Sequence, residues 1–346
     1  MVRFYAFLFM STFWWGCDTV RPDIPVAEKA PQLDLRVEHL LPRESRDLFG
    51  EQPTFEVLIS GLGWAEGPAV LPDGSVIVSD VENNRVMRWK DGEVSVAIPR
   101  SGGVDDDYSK EPGSNGLMMH PWGNLLLCRH GSRDVLMTDK RPDKPATDDV
   151  GLTVWASHYR GKRLNSPNDL VVTPNNQLLF TDPPYGLPGQ WDSPERELDF
   201  CGVYHTTGDS VHLLTKAYSR PNGIGLSPDN KTLYLSNSNA KRAVVTATPI
   251  TFAEDPLPPT LGEPRILLDA THLVGKEPGV PDGLCVAKNG RIFATAPGGV
   301  WVLEPDGRVI AKVRTGLKVA NVTLDPSEDW LYLASDYYLI RIKTTP

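Results

Sequence analysis

The stretch that decides the fold is Asn222-Gly223-Ile224-Gly225-Leu226, followed by Ser227-Pro228-Asp229-Asn230 and then Thr232-Leu233-Tyr234-Leu235-Ser236. A polar residue and a glycine head a short apolar run. A Pro-Asp-Asn turn follows, and a second run rich in strand-forming residues completes a β-hairpin signature. The same unit recurs along the chain, and a fixed recurrence outranks any single local signal. It appears at Glu66-Gly67-Pro68-Ala69-Val70 with the turn Pro72-Asp73-Gly74 and a strand from Ser75 to Ser79. It returns at Asn115-Gly116-Leu117 before Leu125 to Cys128, and at Asn168-Asp169-Leu170 before Gln177 to Phe180. Copies at Asp282-Gly283-Leu284 and Asn321-Val322-Thr323 lead into Arg291 to Ala294 and Trp330 to Ala334.

Six copies about 40 to 60 residues apart, each with further strand-like runs such as Arg85 to Trp89 and Gly299 to Leu303, predict an all-β, six-bladed propeller of four-stranded blades. The competing architecture is a pair of β-sandwiches. The last copy lacks a strand, and Phe55 to Ile59 can supply it, closing the ring and removing both open edges. The propeller is therefore expected over residues 51–346.

Composition agrees. Gly 30 and Pro 31 are scattered along the chain, which suits short strands and tight turns. Asp and Glu outnumber Lys and Arg, 44 to 35, for a formal charge of -9, and no basic stripe is present, so a nucleic-acid partner is excluded. Arg3 followed by the apolar run Phe4 to Trp15 predicts a signal peptide over 1–17, too short to span a bilayer. Gly16-Cys17 resembles the bacterial lipoprotein box, although Trp14 and Trp15 depart from it. An exported envelope protein lipid-anchored at Cys17 is expected, with residues 18–50, rich in Pro and charge, as a tether. Cys128, Cys201 and Cys285 are then an odd set, expected as free thiols in apolar surroundings rather than a disulfide framework.

In a propeller the innermost strand of each blade faces the central channel, so the heads Glu66, Asn115, Asn168, Asn222, Asp282 and Asn321 recur around a ring. All six carry oxygen donors, the set chosen by hard divalent cations such as Ca²⁺, whereas Zn²⁺ draws His or Cys. Any one Asn-Gly could be an ordinary turn dipeptide. Six equivalent oxygen-bearing heads, one of them a Glu, point to one divalent metal: Ca²⁺ first, with Mg²⁺, Mn²⁺ or Zn²⁺ as alternatives.

Glu66-Gly67-Pro68, Asn165-Ser166-Pro167-Asn168-Asp169, Phe180-Thr181-Asp182-Pro183-Pro184-Tyr185-Gly186, Pro221-Asn222-Gly223 and Pro281-Asp282-Gly283 together resemble the gluconolactonase, regucalcin (senescence marker protein) and luciferin-regenerating-enzyme family, in order and spacing from about Phe55 onward. The resemblance implies a six-bladed propeller, a catalytic Ca²⁺ or similar ion, and hydrolysis of a lactone, a sugar-acid lactone such as gluconolactone first. It implies Glu66, Asn222 and Asp282 as metal ligands with Asn168 as a fourth ligand or a substrate contact. Asp282 is the candidate general base beside the metal, or a ligand alone. Asn115, His130, Tyr185 and Asn321 are candidate substrate-binding residues, and Trp64 is either core or pocket wall. One departure stands out: Ser166 occupies a place where regucalcin-like members carry Arg. Two other readings remain open, an arylesterase or phosphotriesterase on the same metal, and a tethered binding propeller without catalysis. A small-molecule partner and a monomer or weak oligomer are expected.

Overall fold

The structure, a computed structural model, describes residues 32–138, 152–254 and 257–345. Residues 1–17, with Cys17 and the expected signal peptide, lie outside them.

Six antiparallel sheets follow one another as blades around a central channel. The inner strands are Ala65–Val70, Ser114–Met119, Leu170–Val172, Pro221–Leu226, Leu284–Val286 and Asn321–Leu324. Phe55–Ser60 pairs with Tyr338–Lys343 as the outer strand of the sixth blade, so the two ends of the propeller meet in one sheet, as the missing strand required. Second strands begin or end one or two residues from the expected bounds for a local reason. Ser75, for example, belongs to the turn, where the Asp73 carboxylate accepts its N–H at 3.0 Å and its hydroxyl as well.

Apolar residues of facing blades interlock into the core. Between the first two blades Ala69, Ile77 and Val86 pack on Leu117, Leu125 and Leu127, all nearly solvent-free. Alternation produces this directly, because strand residues two apart share a face and blades bury both faces.

One segment differs from expectation. The second half of the supposed tether is structured: Arg36–His39 adds a fifth strand to the fifth blade, Arg36 opposite Arg314, and the helix Pro42–Phe49 buries Leu48 and Phe49 against that blade's core. Leu33, Leu35 and Val37 alternate toward the same core, a strand period that the surrounding Pro and charge had obscured. Arg265–Asp269 pairs with Val244–Thr251 as the fourth strand of its blade. Cys128, Cys201 and Cys285 are free thiols, the first two buried and the third partly so.

Candidate active site

Glu66, Asn115 and Asn222 sit where their inner strands break register, whereas Asn168 and Asp282 stand just ahead of theirs and Asn321 opens a strand in regular register. The pairing slips between Glu66 and Ala69, between Ser114 and Leu117, and between Pro221 and Ile224. A bulge of this kind re-aims a side chain, and here it turns those three heads into the channel. The glycine that follows Glu66, Asn115, Asn222 and Asp282 is explained by the next blade rather than by a turn. A Cβ on Gly67 would lie 2.2 Å from the Asn115 carbonyl oxygen, and one on Gly223 would lie 2.3 Å from that of Asp282. Gly223 N–H donates to that Asp282 carbonyl, and hydroxyls of the neighbouring second strands do the same work: Ser79 donates to the Asn115 carbonyl at 2.8 Å and Thr181 to that of Asn222 at 2.8 Å. Head carbonyls thus staple blade to blade. Their side chains are left for the channel.

Six of the eight expected site residues meet in one cavity of about 270 Å³: Glu66, Asn115, Asn168, Asn222 and Asp282 with Tyr185, joined by Trp64, Glu111 and Lys318. Asn168 is held by the two motifs acting as a unit. Asn165 N–H donates to Asp182 at 2.8 Å, Ser166 hydroxyl donates to the Pro183 carbonyl at 2.7 Å, and Gly186 N–H donates back to Ser166 at 2.9 Å. Ser166 is therefore a structural residue here, buried and fully engaged. Asn222 donates to Ser238, which donates to the Pro281 carbonyl and so ties Asn222 to the loop that carries Asp282. Tyr185 is braced edge-on by Trp191 at 5.1 Å, over which Arg220 lies at 4.2 Å.

The remaining two candidates lie elsewhere. His130 is fully buried behind the cavity wall, its Nδ1 3.7 Å from Glu111 Oε2, and burial pulls its pKa down to about 4. Asn321 lies beneath the cavity: its Oδ1 accepts the Val322 N–H at 2.8 Å, and its side chain hydrogen-bonds both Glu66 and Asp169. It faces instead a second cavity of about 380 Å³ further along the channel, with mostly apolar walls and Asp169 beside it.

Crowded carboxyls give the site its electrostatics. Burial, then the charges of Glu66 and Glu82, push Glu111 up to about 8, and burial pushes Asp169 up to about 8. Glu66 and Asp282 are raised as well, both first by burial, with Asp282 also opposed by Glu66, Glu111 and Asp169. Alongside these, Asn115 Oδ1, Asn168 Oδ1 and Asp282 Oδ1 are buried without a hydrogen-bond partner. Buried polar atoms are rarely left so. Converging unpartnered oxygens beside two carboxylates with raised pKa values fit a hard divalent cation. Among the described residues no three His, Cys, Asp or Glu side chains group as a metal cluster, which is consistent with a donor set made largely of amides.

Sequence reasoning missed Glu111 and Lys318. Neither belongs to the repeat; each reaches the cavity from a loop between blades, where periodicity carries no information.

Fold and site define the class, a six-bladed propeller whose channel mouth gathers carboxylate and amide oxygens in one small cavity. Residues 64–336 match the SMP-30/Gluconolactonase/LRE-like region, and the chain belongs to that family. It is similar to the gluconolactonase of Zymomonas mobilis, 32% identical over 297 residues, covering 84% of this chain and 81% of that one. Among solved structures, a gluconolactonase from Xanthomonas campestris aligns with a TM-score of 0.73 and 25% identity over 92% of this chain and 99% of that one. A protein from Agrobacterium tumefaciens described as the calcium-binding protein regucalcin, 18% identical with a TM-score of 0.62 over 84% of this chain and 95% of that one, shares the fold.

Proposed function

We propose that the chain is a divalent-metal-dependent lactonase of the cell envelope, opening a sugar-acid lactone such as gluconolactone, with Ca²⁺ as the metal and Cys17 as the point of lipid attachment. The observation that carries the metal is the set of three buried, unpartnered oxygens, on Asn115, Asn168 and Asp282, around the Glu66 carboxylate. The lactonase reading rests on family membership and on the gluconolactonase and lactonohydrolase relatives.

Glu66, Asn168, Asn222 and Asp282 would hold the cation, with Asn115 Oδ1 in reach of the same space. When bound, a divalent cation supplies Lewis acidity toward a carbonyl oxygen. Asp282 Oδ1 takes the proton from the water that attacks the lactone carbonyl carbon; its raised pKa makes it a stronger base than an exposed carboxylate. The ring C–O bond then breaks, the ring oxygen takes the proton held by Asp282 and leaves as a hydroxyl, and the carboxylic acid so formed releases its own proton to solvent. Trp64, Tyr185 and Val319 wall the cavity and limit water around the reacting carbonyl. Its volume lies just below the range of about 300–1,000 Å³ usual for small-molecule pockets, which suits a single small ring.

The test is hydrolysis of gluconolactone, an aryl ester and an organophosphate by the Ca²⁺-loaded protein, by the chelated protein and by Asp282→Asn. Lactone opening that is lost on chelation and in the variant supports the proposal. Preferential turnover of the phosphotriester would transfer the site to phosphorus chemistry, and no turnover of any of them would leave a binding propeller.

A further inference from the structure

Ser166 spends its hydroxyl on the Pro183 carbonyl and the Gly186 N–H and reaches no ligand in the cavity. Glu111 is the cavity carboxylate that belongs to no repeat head and enters from the loop between the first two blades. Its side chain is about a quarter exposed, and among the described residues no donor hydrogen-bonds its carboxylate at normal distance; the nearest cation-capable group is His130 Nδ1 at 3.7 Å. The loop around it is fixed rather than loose. Gly113 N–H donates to the Val81 carbonyl at 3.0 Å, Gly131 N–H to the Pro112 carbonyl at 3.2 Å, and Ser114 N–H to the Ser101 hydroxyl at 3.0 Å. His130 is wedged behind it, with no exposure and both ring nitrogens unpartnered, and Gly186 packs on it so closely that a Cβ there would come within 2.3 Å of His130 Cβ. On the far side of the cavity Lys318 lies over Trp64, its ammonium 5.2 Å from the ring centre.

We propose that Glu111 is the specificity-determining residue of this site, accepting hydrogen bonds from the hydroxyls of a polyhydroxylated lactone, with His130 as the residue that positions it. The inference rests on the lactonase reading. A carboxyl presents two oxygens: ionised it accepts through both, and protonated it accepts through one and donates through the other, so in either state one side chain can engage two neighbouring hydroxyls of a sugar ring. A site built to bind hydroxyls discriminates sharply against analogues lacking them, because its buried acceptor is then left unpaired. His130, without exposure and packed against Gly186, fixes the Glu111 rotamer and does not touch substrate.

Kinetics on two substrates, gluconolactone and the unhydroxylated δ-valerolactone, test this with the Ca²⁺-loaded protein. Glu111→Gln and Glu111→Ala are expected to lower kcat/KM for gluconolactone by about 10- to 100-fold, mainly through KM, the Ala variant more, while δ-valerolactone changes less than threefold. His130→Phe should shift the same ratio in the same direction, and add little in the Glu111→Ala background, as expected for residues acting through one another. A circular dichroism melt confirms that each variant folds, and Glu111→Gln, nearly isosteric, guards against loss of fold. An unchanged ratio, or an equal fall on both substrates, overturns the inference while leaving the lactonase intact. A wild-type protein that opens neither lactone overturns the lactonase reading and the inference with it.

Discussion

Stripping the divalent cation is expected to leave a protein whose stability falls as the pH rises, the reverse of the behaviour of a chain whose carboxylates are paired. Burial and mutual repulsion raise Glu66, Glu111, Asp169 and Asp282 together. A carboxyl with a raised pKa in the folded state holds a proton that the unfolded chain releases. Its cost is absent below the unfolded value, opens as the pH passes about 4, and is complete above the folded value near 8. For Asp169, moved from 3.8 to about 8, one pKa unit being about 1.36 kcal/mol, the cost grows by about 3 kcal/mol between pH 5.5 and pH 8. Protonating one of these carboxyls relieves the others, so one group's worth is the appropriate magnitude for the set.

At about 2–4 °C per kcal/mol, the chelated protein should melt about 6–12 °C lower at pH 8 than at pH 5.5. Ca²⁺ should flatten that slope, because a cation displaces the protons and binds the charged forms. Its stabilising effect is therefore larger at pH 8 than at pH 5.5. The assay is a thermal melt at both pH values, at one scan rate, in chelator and in millimolar Ca²⁺. A chelated protein equally stable at both, or a cation effect that does not grow with pH, would refute the crowded-carboxyl account of the site.

Three further outcomes are expected. Asp282→Asn should lower kcat/KM on the lactone by about 10²–10⁴-fold while raising the melting temperature of the chelated protein at pH 8, since it removes a charge that the fold opposes; paired kinetics and melts check both halves. Gly223→Ala should cost about 1–3 kcal/mol, measurable by denaturant unfolding, because its Cβ would stand 2.3 Å from the Asp282 carbonyl oxygen and the neighbouring blade would have to retreat. Arg314→Ala should raise KM more than it lowers kcat: Arg314 donates to Glu38 of the N-terminal strand at 2.5 Å and to Glu277 at 2.9 Å, and Glu277 begins the segment that supplies Gly279, Val280 and Asp282 to the cavity. Steady-state kinetics with an unshifted fold by circular dichroism decide that case.

The propeller was legible because every blade repeats its instructions locally. A polar head, followed by glycine in four copies, a turn of Pro, Asp, Asn or Gly, and an alternating second strand recur six times, and the one missing strand lies upstream at Phe55. The N-terminal strand was not legible in the same way: Leu33, Leu35 and Val37 alternate correctly, but the segment pairs with residues 311–314, a contact across most of the chain that no local pattern announces. Glu111 was invisible for a related reason. It enters the cavity from a connecting loop, and what marks it, a fixed carboxylate without a donor in front of a buried imidazole, is a property of three-dimensional neighbours.

The ring of six heads was a sound guide to place and a poor guide to role, and the structure supplies the reason. A head residue has two polar parts, and the fold claims the main-chain part almost uniformly: carbonyls at Asn115, Asn168, Asn222 and Asp282 each accept a hydrogen bond from a neighbouring blade. What differs is whether the side chain is also consumed. Asn321 turns its Oδ1 onto the Val322 N–H and its amide toward Glu66 and Asp169, leaving nothing for the cavity. Asn115, Asn168 and Asp282 each keep an oxygen unpartnered. A repeat that evolved only to staple blades would have no reason to leave those oxygens bare, since each unpaired buried acceptor costs about 1–3 kcal/mol. Three such costs gathered in one cavity of about 270 Å³, on side chains that line it from different blades, are the physical signature of a site kept ready for a ligand rather than of a structural joint.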